Sequence, residues 1–100
     1  MIICIDVGNT NIKYAVYDGA ERRISFRVST DLKRTSDEYG AQLTEMLRFN
    51  GIAAGQVTGG IFSSVVPSLD YTIEHMLRVY FGFIPKQIAP GMKTGLRMRV

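Results

Sequence analysis

The run Asp6-Val7-Gly8-Asn9-Thr10-Asn11 follows directly on an apolar stretch, Ile2-Ile3-Cys4-Ile5. A second apolar stretch, Ile12 to Tyr17, comes next and closes on Asp18-Gly19. One carboxylate, one glycine and several small polar groups thus gather at a tight turn between two strands, an arrangement able to hold metal-bound phosphate. Asp6 stands at the end of its strand, where its side chain can project past the sheet rather than into a core. Gly8 can take backbone angles closed to other residues and lets a ligand approach the main chain. Successive N–H groups of such a turn form an anion-binding concavity. Thr10 and Asn11 add side-chain donors without bulk, and Lys13 offers a point charge. Strand alternation can equally aim Lys13 at solvent.

A carboxylate beside a phosphate requires a cation between them, since two anions a few Å apart repel. Mg²⁺ suits the place: it prefers oxygen ligands, keeps several waters and bridges carboxylate to phosphate. Asp6 is therefore expected to hold a hydrated Mg²⁺ through water. A plain hairpin, with Gly8-Asn9 as its turn and Asp6 as a cap, accounts for the same residues. Spacing alone leaves both readings open.

The elements that must position this turn are legible from the pattern. Strands are expected at Ile2 to Val7, Ile12 to Tyr17 and Arg23 to Val28, the last two joined by a hairpin at Asp18-Gly19. Thr35-x-x-Glu38 has the form of a capping box. After it, Tyr39, Leu43, Met46 and Leu47 recur at helical spacing until Asn50-Gly51 ends the helix. Ile61 to Val66 reads as a short strand stopped by Pro67, which suits the first turn of another helix. Leu69, Ile73, Met76, Leu77 and Tyr80 make the buried stripe of that helix. A last strand is expected around Ile84 to Ile88. The order β-β-β-α-β-α-β, with helical crossovers late in the chain, implies an α/β fold: a mixed sheet with helices packed on it. Ser63 and Ser64, late in a strand, either line a pocket at its carboxyl end or let a helix pack closely.

The turn also resembles a known motif. Asp6 to Asn11 is similar to the first phosphate motif of the ATPase superfamily of actin, sugar kinases and heat-shock chaperones. The Asn9-Thr10 pair resembles the version found in type III pantothenate kinases. Three further segments match that family in order and approximate spacing: Thr35-Ser36-Asp37-Glu38-Tyr39-Gly40, Ser63-Ser64-Val65-Val66-Pro67, and Pro90-Gly91-Met92-Lys93-Thr94-Gly95-Leu96. The resemblance covers residues 1–100 but only the front part of the family's protein. It implies a ribonuclease-H-like half-domain over the whole chain, with the family's second half-domain absent.

The function implied is ATP-dependent phosphorylation of the primary hydroxyl of pantothenate, the first step toward coenzyme A. In that reading Asp6 holds Mg²⁺. The backbone from Val7 through Gly8, Asn9 and Asn11, with the Thr10 hydroxyl, contacts the phosphates, and Lys13 offsets charge. Gly91, Thr94 and Gly95 border the substrate pocket. Val100 stands where relatives often carry a tyrosine that touches the substrate, which puts that contact in doubt. The resemblance further implies a monovalent cation (K⁺ or NH₄⁺) and a homodimer. The family's general base is an aspartate in a Gly-Ala-Asp-Arg segment that would follow Val100, so no catalytic residue is assigned within this chain. The 100 residues alone are therefore expected not to turn over pantothenate.

Composition bounds the alternatives. With 46% hydrophobic residues in 100, the chain forms one modest core and no more than one domain. Its apolar runs are too short to span a membrane, and residues 1–5 read as a core strand rather than a signal peptide. A cytoplasmic location is the expectation. Cys4 is the only cysteine, which excludes an intrachain disulfide and a cysteine-rich metal site, and in an apolar strand it reads as a small buried hydrophobe. His75 lacks a second histidine or cysteine at metal-ligand spacing and reads as a helix residue. The net charge of +3 is mild, and the basic residues are scattered. Solvated faces and a few anion contacts explain them better than a nucleic-acid surface, which needs a clustered stripe. Two other classes are alternatives to the kinase reading. A non-catalytic regulatory relative would bind nucleic acid with steep salt dependence. A ribonuclease-H-like nuclease would need carboxylates clustered around two metals, and Asp18, Asp31 and Asp37 are the aspartates nearest Asp6 in sequence.

Overall fold

The computed structural model describes residues 1–90. The expected substrate residues Gly91, Thr94, Gly95 and Val100 lie outside the described residues. Five strands form one mixed sheet: β1 (Ile2–Val7), β2 (Asn11–Asp18), β3 (Glu21–Ser29), β4 (Gly59–Ser64) and β5 (Lys86–Gln87). Their spatial order is β3-β2-β1-β4-β5. β1 runs antiparallel to β2 and parallel to β4, so it is enclosed on both edges. Two helices make the crossovers, α1 (Ser36–Phe49) from β3 to β4 and α2 (Asp70–Phe81) from β4 to β5.

Each element forms for a local reason. The β2–β3 hairpin turns through Gly19-Ala20, since Asp18 pairs with Glu21. Gly19 there has a φ of 63°, which favours glycine. The capping box is present: the Glu38 N–H donates to Thr35 Oγ1 at 3.1 Å, and the Thr35 N–H donates to Glu38 Oε1 at 2.8 Å. A 3₁₀ turn, Pro67–Leu69, leads into α2, which ends at Gly82 with a φ of 78°. Both are strong local signals, and both helices fall where the periodicity predicts.

The core lies on one face of the sheet. Alternate residues Ile3, Ile5 and Val7 of β1 and Ile12, Tyr14 and Val16 of β2 are buried. They pack against Tyr39, Leu43 and Leu47 of α1 and Ile73, Met76 and Leu77 of α2 in a single cluster. The other alternation set, including Cys4, Asp6, Lys13 and Ala15, faces away from both helices and stays half-buried or exposed. Cys4 is thus not a core residue as its apolar neighbours suggest; period-2 alternation turns it to the open face.

Four strands differ from expectation at their ends: β2 and β3 extend one or two residues beyond Ile12 to Tyr17 and Arg23 to Val28, and β4 and β5 shift further. β4 begins at Gly59 rather than Ile61, because Gly59 and Gly60 pair with Ile2 and Ile3 of β1. A Cβ on Gly60 would lie 2.6 Å from the Ile3 carbonyl oxygen, so close strand approach excludes the apolar side chain that the pattern sought. β4 also ends at Ser64, two residues early. The Ser64 hydroxyl accepts from the Val66 N–H at 3.0 Å and turns the chain out of the ladder. β5 shrinks to Lys86–Gln87. Pro85 has no N–H to give to a ladder, and Ile84 is exposed.

Candidate functional site

The turn between β1 and β2 is held from three sides. Within it, the Gly8 N–H donates to the Asn11 carbonyl at 2.9 Å. From the end of β3, the Thr30 hydroxyl donates to the Gly8 carbonyl at 2.7 Å, and the Thr30 N–H donates to the Thr10 carbonyl at 2.9 Å. Thr30 reaches both because β3 pairs Ser29 with Asn11, one residue before it. The next residue, Asp31, is anchored in turn by the buried Tyr39. Its phenol donates to the Asp31 carbonyl at 2.8 Å and accepts from the Asp31 N–H at 2.9 Å. Helix α1 therefore fixes the turn through Tyr39, Asp31 and Thr30.

Gly8 is not in the left-handed region; among the described residues only Gly19, Gly51 and Gly82 have positive φ. Glycine is needed there for room instead. An added Cβ would stand 3.0 Å from the Asn11 carbonyl oxygen, tighter than an ordinary contact. Asn9 and Thr10 are exposed at the tip, while Gly8 and Asn11 are half-buried. The Val7 side chain belongs to the core, and its carbonyl accepts from the Val65 N–H at 3.0 Å.

Strand register brings the remaining side chains together. Asp6 is paired with Lys13 on one side and Ser63 on the other, and Lys13 is paired with Arg27. Arg27, Lys13, Asp6 and Ser63 thus form one row across four strands on the open face. All four line a cleft of about 490 Å³. Ser63 is buried, and its hydroxyl donates to Asp6 Oδ1 across a long 3.4 Å. Ser64 points elsewhere and serves the local turn, so the two adjacent serines divide between the two roles expected of them. Lys13 faces Asp6's side of the sheet and is exposed there.

Among the described residues, Asp6 is the single carboxylate that lines the cleft. Asp18 pairs with Arg23 at 3.6 Å at the far end of the hairpin, Asp31 Oδ1 accepts from the Lys33 N–H, and Asp37 Oδ1 accepts from the Tyr80 phenol. No three His, Cys, Asp or Glu gather among the described residues. One carboxylate with a hydroxyl neighbour fits Mg²⁺, which takes one or two carboxylates, several waters and phosphate oxygens. It does not supply the carboxylate cluster of a two-metal nuclease. His75 stands away from the cleft, stacked on Tyr71 and bonded to the Ser36 hydroxyl at 3.0 Å.

Sequence reasoning missed Thr30 and Arg27. Neither carries a spacing signal: both reach the site only through the β2–β3 register. Threonine at the end of a β-rich run is too common to single out.

Comparison with known proteins agrees with this geometry. The family model described as type III pantothenate kinase matches residues 2–100. The chain is 46% identical over 96 residues to a type III pantothenate kinase of Geobacter sulfurreducens, covering 96% of this chain and 38% of that protein. The chain therefore spans well under half the length of that curated relative. Its fold is similar to that of a ROK hexokinase from Thermus thermophilus, with a TM-score of 0.64 over 88% of this chain and 34% of the other at 17% identity. A likeness so distant in sequence bears on the fold alone, the ribonuclease-H-like mixed sheet. With the motif turn, its supporting strands and the family match in accord over nearly its whole length, this chain belongs to the type III pantothenate kinase family.

Proposed function

We propose that this chain supplies the first phosphate-binding half of an enzyme that phosphorylates pantothenate with ATP, opening the route to coenzyme A. The observation that carries the reading is the position of Asp6. It sits at the carboxyl end of the central strand, in the same cleft as Lys13 and beside a turn pinned by Thr30. Phosphoryl transfer depends on positioning and charge stabilisation more than on covalent chemistry, and this row offers both. Asp6 would hold Mg²⁺ through water, with the Ser63 hydroxyl steadying one carboxylate oxygen. The Asn9 and Thr10 N–H groups at the exposed tip and the Thr10 hydroxyl would bind phosphate oxygens, the Gly8 N–H being given to the Asn11 carbonyl, and Lys13 would offset their charge. The metal, when bound, neutralises charge that develops on the transferred phosphoryl group.

Residues 1–100 are proposed to form one half-domain, with a second half-domain closing over the nucleotide. From the family resemblance we propose that the general base lies outside the described cleft, whose carboxylate, Asp6, is assigned to Mg²⁺. Gly91, Thr94, Gly95 and Val100 are proposed to border the pantothenate pocket. From the family resemblance we also propose a monovalent cation, K⁺ or NH₄⁺, a homodimer and a cytoplasmic setting. No helix among the described residues is long and apolar enough to cross a membrane.

The test is pantothenate-dependent ADP release by the intact natural polypeptide that contains these residues. Asp6→Asn is expected to lower turnover roughly 100-fold or more while the protein stays folded. Turnover equal to wild type in that variant would overturn the assignment of Asp6.

A further inference from the structure

Lys13 and Arg27 oppose each other directly across the β2–β3 ladder. Directly opposed residues of antiparallel strands point to the same face with Cβ atoms about 4.5–5.5 Å apart, and like charges so placed destabilise a sheet. Arg23 pairs with Asp18 at 3.6 Å and Arg34 with Asp31 at 3.9 Å, whereas Arg22, which also lines the cleft, forms no ion pair among the described residues but is registered with Tyr17 rather than with Lys13. Among the described residues neither Lys13 nor Arg27 forms an ion pair, although both are exposed. Both line the cleft that holds Asp6. Two cations held side by side in this way complement an anion rich in oxygens. Arginine presents a planar fork to phosphate, lysine a point charge. The Arg27 side chain is long enough to cross the spacing of about 4.8 Å between neighbouring strands and meet a ligand held over Lys13.

We propose that Arg27 is a second phosphate-holding cation of this site, acting with Lys13 on the phosphate oxygens of a bound nucleoside triphosphate. The inference rests on reading the Asp6–Asn11 turn as a phosphate site. Repulsion between the two cations, offset in part by the Asp6 carboxylate opposite Lys13, burdens the ligand-free sheet and is relieved when the anion binds.

The experiment is calorimetric titration of the intact natural polypeptide with Mg–ATP and, separately, with adenosine, in wild type, Arg27→Gln and Arg27→Lys. Arg27→Gln is expected to bind Mg–ATP about tenfold more weakly and adenosine as wild type does. Its ligand-free melting temperature should equal or exceed that of wild type. Arg27→Lys, which keeps the charge but loses the fork, should fall between the two, and it carries the comparison if the glutamine variant does not fold. Wild-type Mg–ATP affinity in Arg27→Gln, or in Arg27→Lys when that variant stands alone, overturns the inference. Equal losses for ATP and adenosine also overturn it, since they indicate general distortion. Failure of wild type to bind Mg–ATP refutes the phosphate reading itself, a result separable from the other two.

Discussion

Two hydroxyls near the site illustrate how partners decide the worth of a polar group. The Thr30 hydroxyl donates to the Gly8 carbonyl at 2.7 Å and ties β3 to the motif turn. The Tyr14 hydroxyl is buried with no hydrogen-bond partner among the described residues, and its ring packs against Phe26 at 5.2 Å. Deleting a satisfied hydroxyl costs about 1 kcal/mol, whereas deleting an unsatisfied one is neutral or favourable. Thr30→Val is thus expected to lower unfolding free energy by about 1 kcal/mol and to weaken Mg–ATP binding, while Tyr14→Phe leaves stability equal or higher. Urea unfolding of the intact protein checks both, and a Tyr14→Phe loss comparable to that of Thr30→Val would show a hidden partner for the phenol. The Tyr14 phenol also titrates late. Burial, with a smaller contribution from Tyr39, pushes it above its ordinary value of 10.0. A phenol whose folded value is raised contributes its stability below pH 10 and loses it as the unfolded chain ionises above that pH. Tyr14→Phe should therefore flatten the alkaline decline in stability.

At the scale of elements, α1 and α2 meet where a side chain is missing. A Cβ on Gly40 would lie 2.5 Å from the Tyr80 ring, so the helices approach only because residue 40 has none. The same contact carries a bond from the Tyr80 phenol to Asp37 Oδ1 at 2.9 Å. Helix propensity favours Gly40→Ala by about 1 kcal/mol, but overpacking costs about 1–3 kcal/mol. A net loss of about 1 kcal/mol is expected in denaturant unfolding. In a Tyr80→Ala background the clash is gone, and Gly40→Ala should then stabilise. A gain from Gly40→Ala in the unaltered protein would mean that the helices part at no cost. The helices themselves were legible because their signals are local: a capping box at Thr35 and Glu38, apolar spacing along each face, and a glycine at 51 that accepts positive φ. The edges of β4 and β5 were not, since Gly59 and Gly60 enter a strand only through contact with β1.

For the whole molecule, the sheet carries its helices on one face and the candidate site on the other. Among the described residues, that division leaves a single carboxylate, Asp6, in the cleft. Binding and turnover should therefore separate. A polypeptide of residues 1–100 is expected to release no pantothenate-dependent ADP under conditions where the intact natural protein does. Steady release that Asp6→Asn abolishes would show that a base lies within these residues after all. The motif turn, the class of fold and the two helices follow from sequence alone, because each depends on neighbours a few positions apart: alternation, helical period, caps and turn residues. Tertiary structure decided what the turn is made to face. Only the register of the strand ladders, two between consecutive strands and one between the distant β1 and β4, aligns Arg27, Lys13, Asp6 and Ser63 in one row, turns Cys4 out of the core and brings Thr30 onto the Gly8 carbonyl. A shift of one residue in any of those ladders would send the affected side chains to the opposite face.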